Sequence, residues 1–266
     1  MNILLHVVVA ALYGVAAWLC RPPPAGSASQ TARSAAIGLA LVVHAAVIAR
    51  AIVTPEGLDL SFVNALSLVA GLSVLVAWLS GALRILPGVA SMILPVAALC
   101  AALPAASPST YRFRYADAPF ATAHIGVSLI AYALFVVAAL QAVVLTRVEQ
   151  RLHRGDDELA GSDTPPLLTL ERYLFRLIAI GFVLLTVSLV SGGLFSEEIF
   201  GRPSGLTHKI VLTVAGWLVF ATLLVGRWRY GWRGRTALKW ILGGTLLLVL
   251  GYLGSKFVVE VLLHRA

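Results

Sequence analysis

Six histidines are spread through a chain in which 59% of residues are hydrophobic and only 12% are charged. Imidazole can move a proton near neutral pH, or it can give a ring nitrogen to a metal. An ionisable side chain is costly inside an apolar run, so each histidine there is a candidate for function. His6, His44, His124, His208 and His264 lie within or at the ends of such runs, whereas His153 lies in a polar connection. Other reactive patterns are missing. There is no Ser/His/Asp set at usable spacing, no Gly-rich phosphate loop, no zinc-ligand spacing and no CxxC motif. Glu197 and Glu198 are adjacent in a loop and read as a solvated face, not an acid/base pair. Hydrolytic and nucleotide chemistry therefore have no support, and the chain reads as a binding protein that is not an enzyme.

The elements that hold these histidines follow from hydropathy. A membrane span needs about 20 mostly apolar residues, and the mean hydropathy of the whole chain is +0.92. That rule gives eight spans, near 3–20, 34–53, 61–83, 87–104, 120–146, 173–194, 208–226 and 238–262. The expected fold is all-α: a polytopic integral membrane bundle of about eight helices, one transmembrane domain over residues 1–266. The first apolar run has no basic residue before it, so it reads as a span and not a cleavable leader. The net charge of +8 sits mostly in short connections, where it orients spans and meets membrane lipid. A nucleic-acid partner is not implied.

Thirteen of the 20 Lys and Arg residues fall in the first, third, fifth and seventh connections, among them Arg84, Arg147, Arg151, Arg227 and Arg233. Positive charge is retained on the cytoplasmic side. Both termini are therefore expected outside. That orientation puts five of the six histidines at or near the outer leaflet. His44 lies six residues before Arg50, about 9 Å below it, and His124 lies five past Pro119, about 7 Å deep. Imidazole is a common axial ligand of haem iron, and bis-imidazole ligation needs two rings from opposite sides. His44 with His124, or His124 with His264, could meet that need. The bland alternative is that these rings only hydrogen-bond headgroups or carbonyls. Cys20 and Cys100 are expected at opposite faces, too far apart for a disulfide.

Several blocks in a fixed order carry a family resemblance: HAAVIARAIVTPEGLDLSFVNALSLVAGL from His44, AHIGVSLIAYALFVVAALQ from Ala123, then SGGLFSEEIFG, HK, GWLVF, GWRG and GYLG. Residues from about 60 to 264 resemble the cytochrome c assembly family of haem-handling membrane proteins, the CcsA-like group, and within it the YpjD/HemX-like branch. In that family an outer loop of the form WxxEAWGxxWxWDPKE presents haem, and flanking histidines ligate the iron. Glu198, Gly201, Lys209 and Trp217 match the pattern, and Phe195 and Phe200 stand where tryptophans would be. Leu206 replaces a further tryptophan, and Thr207 replaces the acid. The resemblance implies haem held at the outer face of a bacterial inner membrane by His124 with His264 or His44. Phe195, Phe200 and His208 would complete that site. It also implies a role in cytochrome c assembly with a membrane or cytochrome-maturation protein as partner. The alternative is a non-haem accessory subunit that docks a partner or anionic lipid through the Arg227–Arg235 turn. A transporter is disfavoured because inverted repeats and broken-helix pairs are missing.

Overall fold

The computed structural model of the protein describes residues 3–21, 29–54, 57–106, 112–113, 119–154, 166–194 and 208–258. Its described helices are α1 (Ile3–Leu19), α2 (Gln30–Ile52), α3 (Phe62–Leu79), the short α4 (Ala82–Ile85), α5 (Pro87–Ala106), α6 (Pro119–His153), α7 (Leu167–Leu194), α8 (His208–Tyr230) and α9 (Gly234–Val249). Seven of them, including α9 with its continuation to Gly254, are long and apolar enough to cross a membrane. The eighth expected span is α1, which has 17 residues and packs against α5 and α2. The protein is an all-α polytopic membrane bundle.

Helix α6 is the hub. It packs against α7, α9, α3 and α5, and 67% of its membrane-length window is buried. The other helices divide into an inward stripe and an outward apolar face. In α1 the buried positions are His6, Val9, Tyr13 and Ala16, and Cys20 continues the stripe one turn on. That is helical periodicity. Val7, Val8, Val15 and Trp18 point outward and stay exposed, the arrangement lipid requires. The cytosolic-style signal of polar-out residues is absent because the surrounding solvent is hydrocarbon.

Contacts between connections sort them onto two faces. At one end, Trp78 Nε1 in the last turn of α3 donates to Ser34 Oγ in the first turns of α2 at 3.0 Å, which brings the first and third connections to the same end. Arg227 and Glu171 pair at 3.3 Å, joining the fifth and seventh. This is the arginine face. At the other end, three short strands form an antiparallel sheet in the order β1 (Val53–Thr54), β2 (Gly57–Asp59), β3 (Arg112–Phe113). Val53 pairs Leu58, and Leu58 pairs Phe113, so the second and fourth connections share this second face. Lys256 Nζ donates to the Leu60 carbonyl there, bringing in the C-terminal segment. His6 near the start of α1 bonds Ala101 near the end of α5, so Cys20 and Cys100 lie toward opposite ends. Both thiols are buried and free.

Helix boundaries run past the expected spans at the arginine face. Helix α6 continues through Arg147 and Arg151 to His153, α7 starts at Leu167, and α8 runs to Tyr230. Charged residues end an apolar window but do not end a helix, whose backbone bonds continue into water. The link from α8 to α9 is only three residues. Gly231 (φ 66°) and Gly234 (φ 55°) take the left-handed conformations that let it turn.

Candidate functional site

His124 stands in the first turns of α6, half-buried, against the last turns of α7. Its ring lies beside Gly192, where an added Cβ would sit 3.1 Å from the imidazole Cε1. A side chain at 192 would crowd the ring, so this glycine fixes how closely α7 approaches. Its Nδ1 is 2.9 Å from Ser191 Oγ. Ser191 Oγ also lies 3.1 Å from the Ser188 carbonyl. When its proton goes to that carbonyl it accepts from the imidazole, which puts the ring proton on Nδ1 and leaves the Nε2 lone pair available.

The support extends one turn deeper. Ser128 donates to the His124 carbonyl at 2.7 Å, so in its 2.6 Å contact with Ser188 the Ser188 hydroxyl is the donor. Four polar groups on two helices thus close one network around a single imidazole. A neutral ring with its remote nitrogen held and its other nitrogen free is the form in which histidine ligates iron. His124 fits an axial ligand.

His44 is placed differently. It is buried, with Nδ1 2.9 Å from Tyr13 Oη and Nε2 3.0 Å from Ser67 Oγ. The ring lies against Gly71, whose added Cβ would come within 2.9 Å of it, and meets Tyr13 edge-on at 5.5 Å. Both nitrogens are engaged, so ligation by His44 would require Tyr13 or Ser67 to let go. Its arrangement locks α1, α2 and α3 together. His6 is also buried, with Nδ1 3.0 Å from the Ala101 carbonyl. His208 is exposed as the first residue of α8. His264, Phe195 and Phe200 lie outside the described residues. Among the described residues, no three His, Cys, Asp or Glu side chains gather to hold a bare metal ion.

The same face carries residues that the sequence reading passed over. Tyr132 stacks on Tyr252 at 5.5 Å, and Tyr252 sits in a π-helical segment, Leu250–Gly254, that ends α9. Such wide turns recur at functional sites. Lys209 Nζ lies 5.3 Å from the Tyr252 ring centre and Lys256 Nζ 5.9 Å from it. His124, Ser128 and Tyr132 recur every four residues, one stripe of α6. Serines inside spans and tyrosines at helix ends read as neutral fillers one by one. Their four-residue spacing from His124 was the available signal. Trp217, which matches the family pattern, donates from Nε1 to Thr186 Oγ1 at 2.9 Å and stacks on Phe182 at 5.3 Å, pinning α8 to α7.

A cavity of about 240 Å³ lies at the opposite end, between α6, α7 and α9, walled partly by Glu149, Glu171 and Arg233. No histidine lines it, and it is distinct from the His124 site.

A multi-span helical membrane protein with a supported imidazole at one face is the class that fold and site define. Residues 35–263 match the family model described as cytochrome C assembly protein. The chain belongs to that family. It is 34% identical over 156 residues to the inner membrane protein YpjD of Escherichia coli K12, covering 58% of each chain. Over 140 residues it is 34% identical to an uncharacterized 28.8 kDa protein of Azospirillum brasilense, covering 53% of this chain and 52% of that one. It is 32% identical over 121 residues to the cytochrome c biogenesis protein CcsA of Trieres chinensis, covering 44% of this chain and 38% of that one. The alignments thus span about half of these relatives or less. No solved structure matches the chain.

Proposed function

We propose that this protein is a haem-handling component of cytochrome c assembly in a bacterial inner membrane, holding haem at the outer face through His124. It works by binding and presentation, not by catalysing a reaction. The observation that carries this reading is the setting of His124: Ser191 engages Nδ1 at 2.9 Å, and Nε2 has no hydrogen-bond partner among the described residues. Family membership supports the role, the name of the CcsA relative supports the pathway, and the name of the YpjD relative supports the membrane. Haem, when bound, would supply the redox-active iron that cytochromes carry. This chain's own part is to offer one imidazole in a fixed orientation, with His264 as the second ligand, or His44 once Tyr13 or Ser67 lets go. The basic connections on the arginine face then lie in the cytoplasm, and membrane lipid and a cytochrome-maturation protein are its partners.

The test is optical. Protein solubilised gently from haem-replete cells is expected to show a Soret band with low-spin features, and His124→Ala should abolish or shift it. A colourless wild-type preparation that brings down a stoichiometric membrane partner would select the accessory-subunit reading instead. That reading draws on Leu206 and Thr207, which depart from the family loop.

A further inference from the structure

The cavity at the arginine face combines an apolar wall with two charges that have not found each other. Leu145 of α6, Leu174 of α7 and Ile241 of α9 form part of its lining, and Glu149, Glu171 and Arg233 stand among them. Glu171 is already engaged by Arg227 at 3.3 Å. Glu149 and Arg233 are different. Neither has an ion-pair partner among the described residues, although both belong to one corner of the fold. Arg233 immediately precedes α9. The half-buried Glu149 lies against the next residue, where a Cβ added to Gly234 would sit 3.4 Å from Oε2. The N-terminal end of a helix favours a nearby carboxylate, which accounts for the position of Glu149 without giving it a cation.

Charge decides between ligand classes. Among the described residues the surface at this end is basic, with Arg147, Arg151, Arg154 and Arg235 all exposed, so a plain cation is repelled on approach. A plain anion is drawn to such a surface but meets carboxylates inside. A zwitterion satisfies both, its anionic group on the arginine rim and its cationic group turned onto the carboxylate wall. The volume, about 240 Å³, falls below the roughly 300 Å³ at which pockets for whole small ligands begin. It suits a headgroup and the first part of an apolar chain. We infer that this cavity seats an aminophospholipid, phosphatidylethanolamine, with its ammonium on Glu149, its phosphate on Arg233 and one acyl chain along Leu145, Leu174 and Ile241. A primary ammonium gives a carboxylate charge-assisted hydrogen bonds, which the quaternary ammonium of phosphatidylcholine has no N–H to make. Seated there, the lipid bridges α6 to the start of α9 at the membrane surface. It requires the bundle to lie in a membrane but not to hold haem, so the haem titration and the experiment below fail independently.

Lipid competition tests this on the unmodified protein. The full chain, delipidated in a maltoside detergent, would be mixed with equal amounts of phosphatidylethanolamine, phosphatidylcholine and phosphatidylglycerol of identical acyl chains. Native mass spectrometry then reads the lipid retained per chain. The ethanolamine lipid is expected to be retained at least about tenfold over the choline lipid, a ratio within reach of one charge-assisted hydrogen bond. Glu149→Gln should erase that preference. Arg233→Gln should weaken retention of both lipids alike, because both carry the phosphate, and Arg233→Lys should restore it. The lipid-free unfolding midpoints of these variants should match the wild type, which separates lost binding from lost folding. Equal retention of the ethanolamine and choline lipids by the wild type overturns the inference. So does an ethanolamine preference that Glu149→Gln leaves intact, since the lipid would then sit elsewhere. Preferential retention of phosphatidylglycerol would make this face a general surface for anionic lipid and overturns it. A co-purifying protein that Glu149→Gln releases, with no lipid preference, would give the cavity to a partner's side chain and overturns it as well.

Discussion

Ser191 shows how a residue with no chemistry of its own sets the chemistry of another. Its hydroxyl lies between the Ser188 carbonyl at 3.1 Å and His124 Nδ1 at 2.9 Å; with its proton on the carbonyl it accepts from the imidazole and holds the Nδ1–H tautomer. Removing it frees the ring to rotate and to move its proton. Ser191→Ala is therefore expected to weaken haem binding about 10- to 100-fold, the usual range for a group that orients a metal-ligating histidine, measured by haem titration of the purified protein. An unchanged affinity would mean that Ser191 only fastens α6 to α7. His124 was legible in the sequence because an ionisable group near an apolar run stands out. Ser128, Ser188 and Ser191 were not, since serine is common in spans and its partner depends on which helices meet. His44 stood out for the same reason as His124, but its sequence gave no sign that Tyr13 and Ser67 would occupy both nitrogens. Asn64, in the first turn of α3, donates back to the Asp59 carbonyl at 3.3 Å, because the chain turns into α3 just before it.

Among the elements, the α8–α9 hairpin carries most of the local design. Trp232 folds back onto Gly226, where an added Cβ would come within 2.3 Å of the indole, and stacks on Trp240 at 5.4 Å. Trp228 is 84% exposed and fits an interfacial aromatic belt, whereas Trp232 and Trp217 pack between elements. Arg227 is likewise drawn inside the protein. It pairs with Glu171, donates to the Trp232 carbonyl at 3.2 Å and lies 4.6 Å from the centre of the Phe175 ring. Arg227→Gln is expected to destabilise by about 1–2 kcal/mol, from a half-buried ion pair plus a cation–π contact. Arg229→Gln, exposed on the same turn, should change little. Thermal unfolding in detergent distinguishes them, and equal effects would mean that Arg227 is spent on lipid and not on the hairpin. The helix cores were legible from hydropathy. The three-stranded sheet was not, because strands of two or three residues carry no periodicity, and its register depends on two connections meeting in space.

At the scale of the whole molecule, the bundle has two chemically different ends, and its function depends on which end faces the cytoplasm. The helix-to-helix contacts separate an arginine face from a histidine face but are indifferent to direction. Direction comes from charge: Arg84, Arg147, Arg151, Arg154, Arg229, Arg233 and Arg235 all belong to one face, and translocating them is disfavoured. That bias places the His124 face outside as an expectation. Impermeant maleimide can test this, because the two native thiols are buried and the wild type serves as the blank. Val53→Cys on the first strand is 64% exposed and is expected to label in intact spheroplasts. Arg154→Cys, exposed just beyond α6, should label only after permeabilisation. The reverse pattern would put His124 toward the cytoplasm. The bundle would be unaltered, and the proposed haem site would open to the opposite side of the membrane.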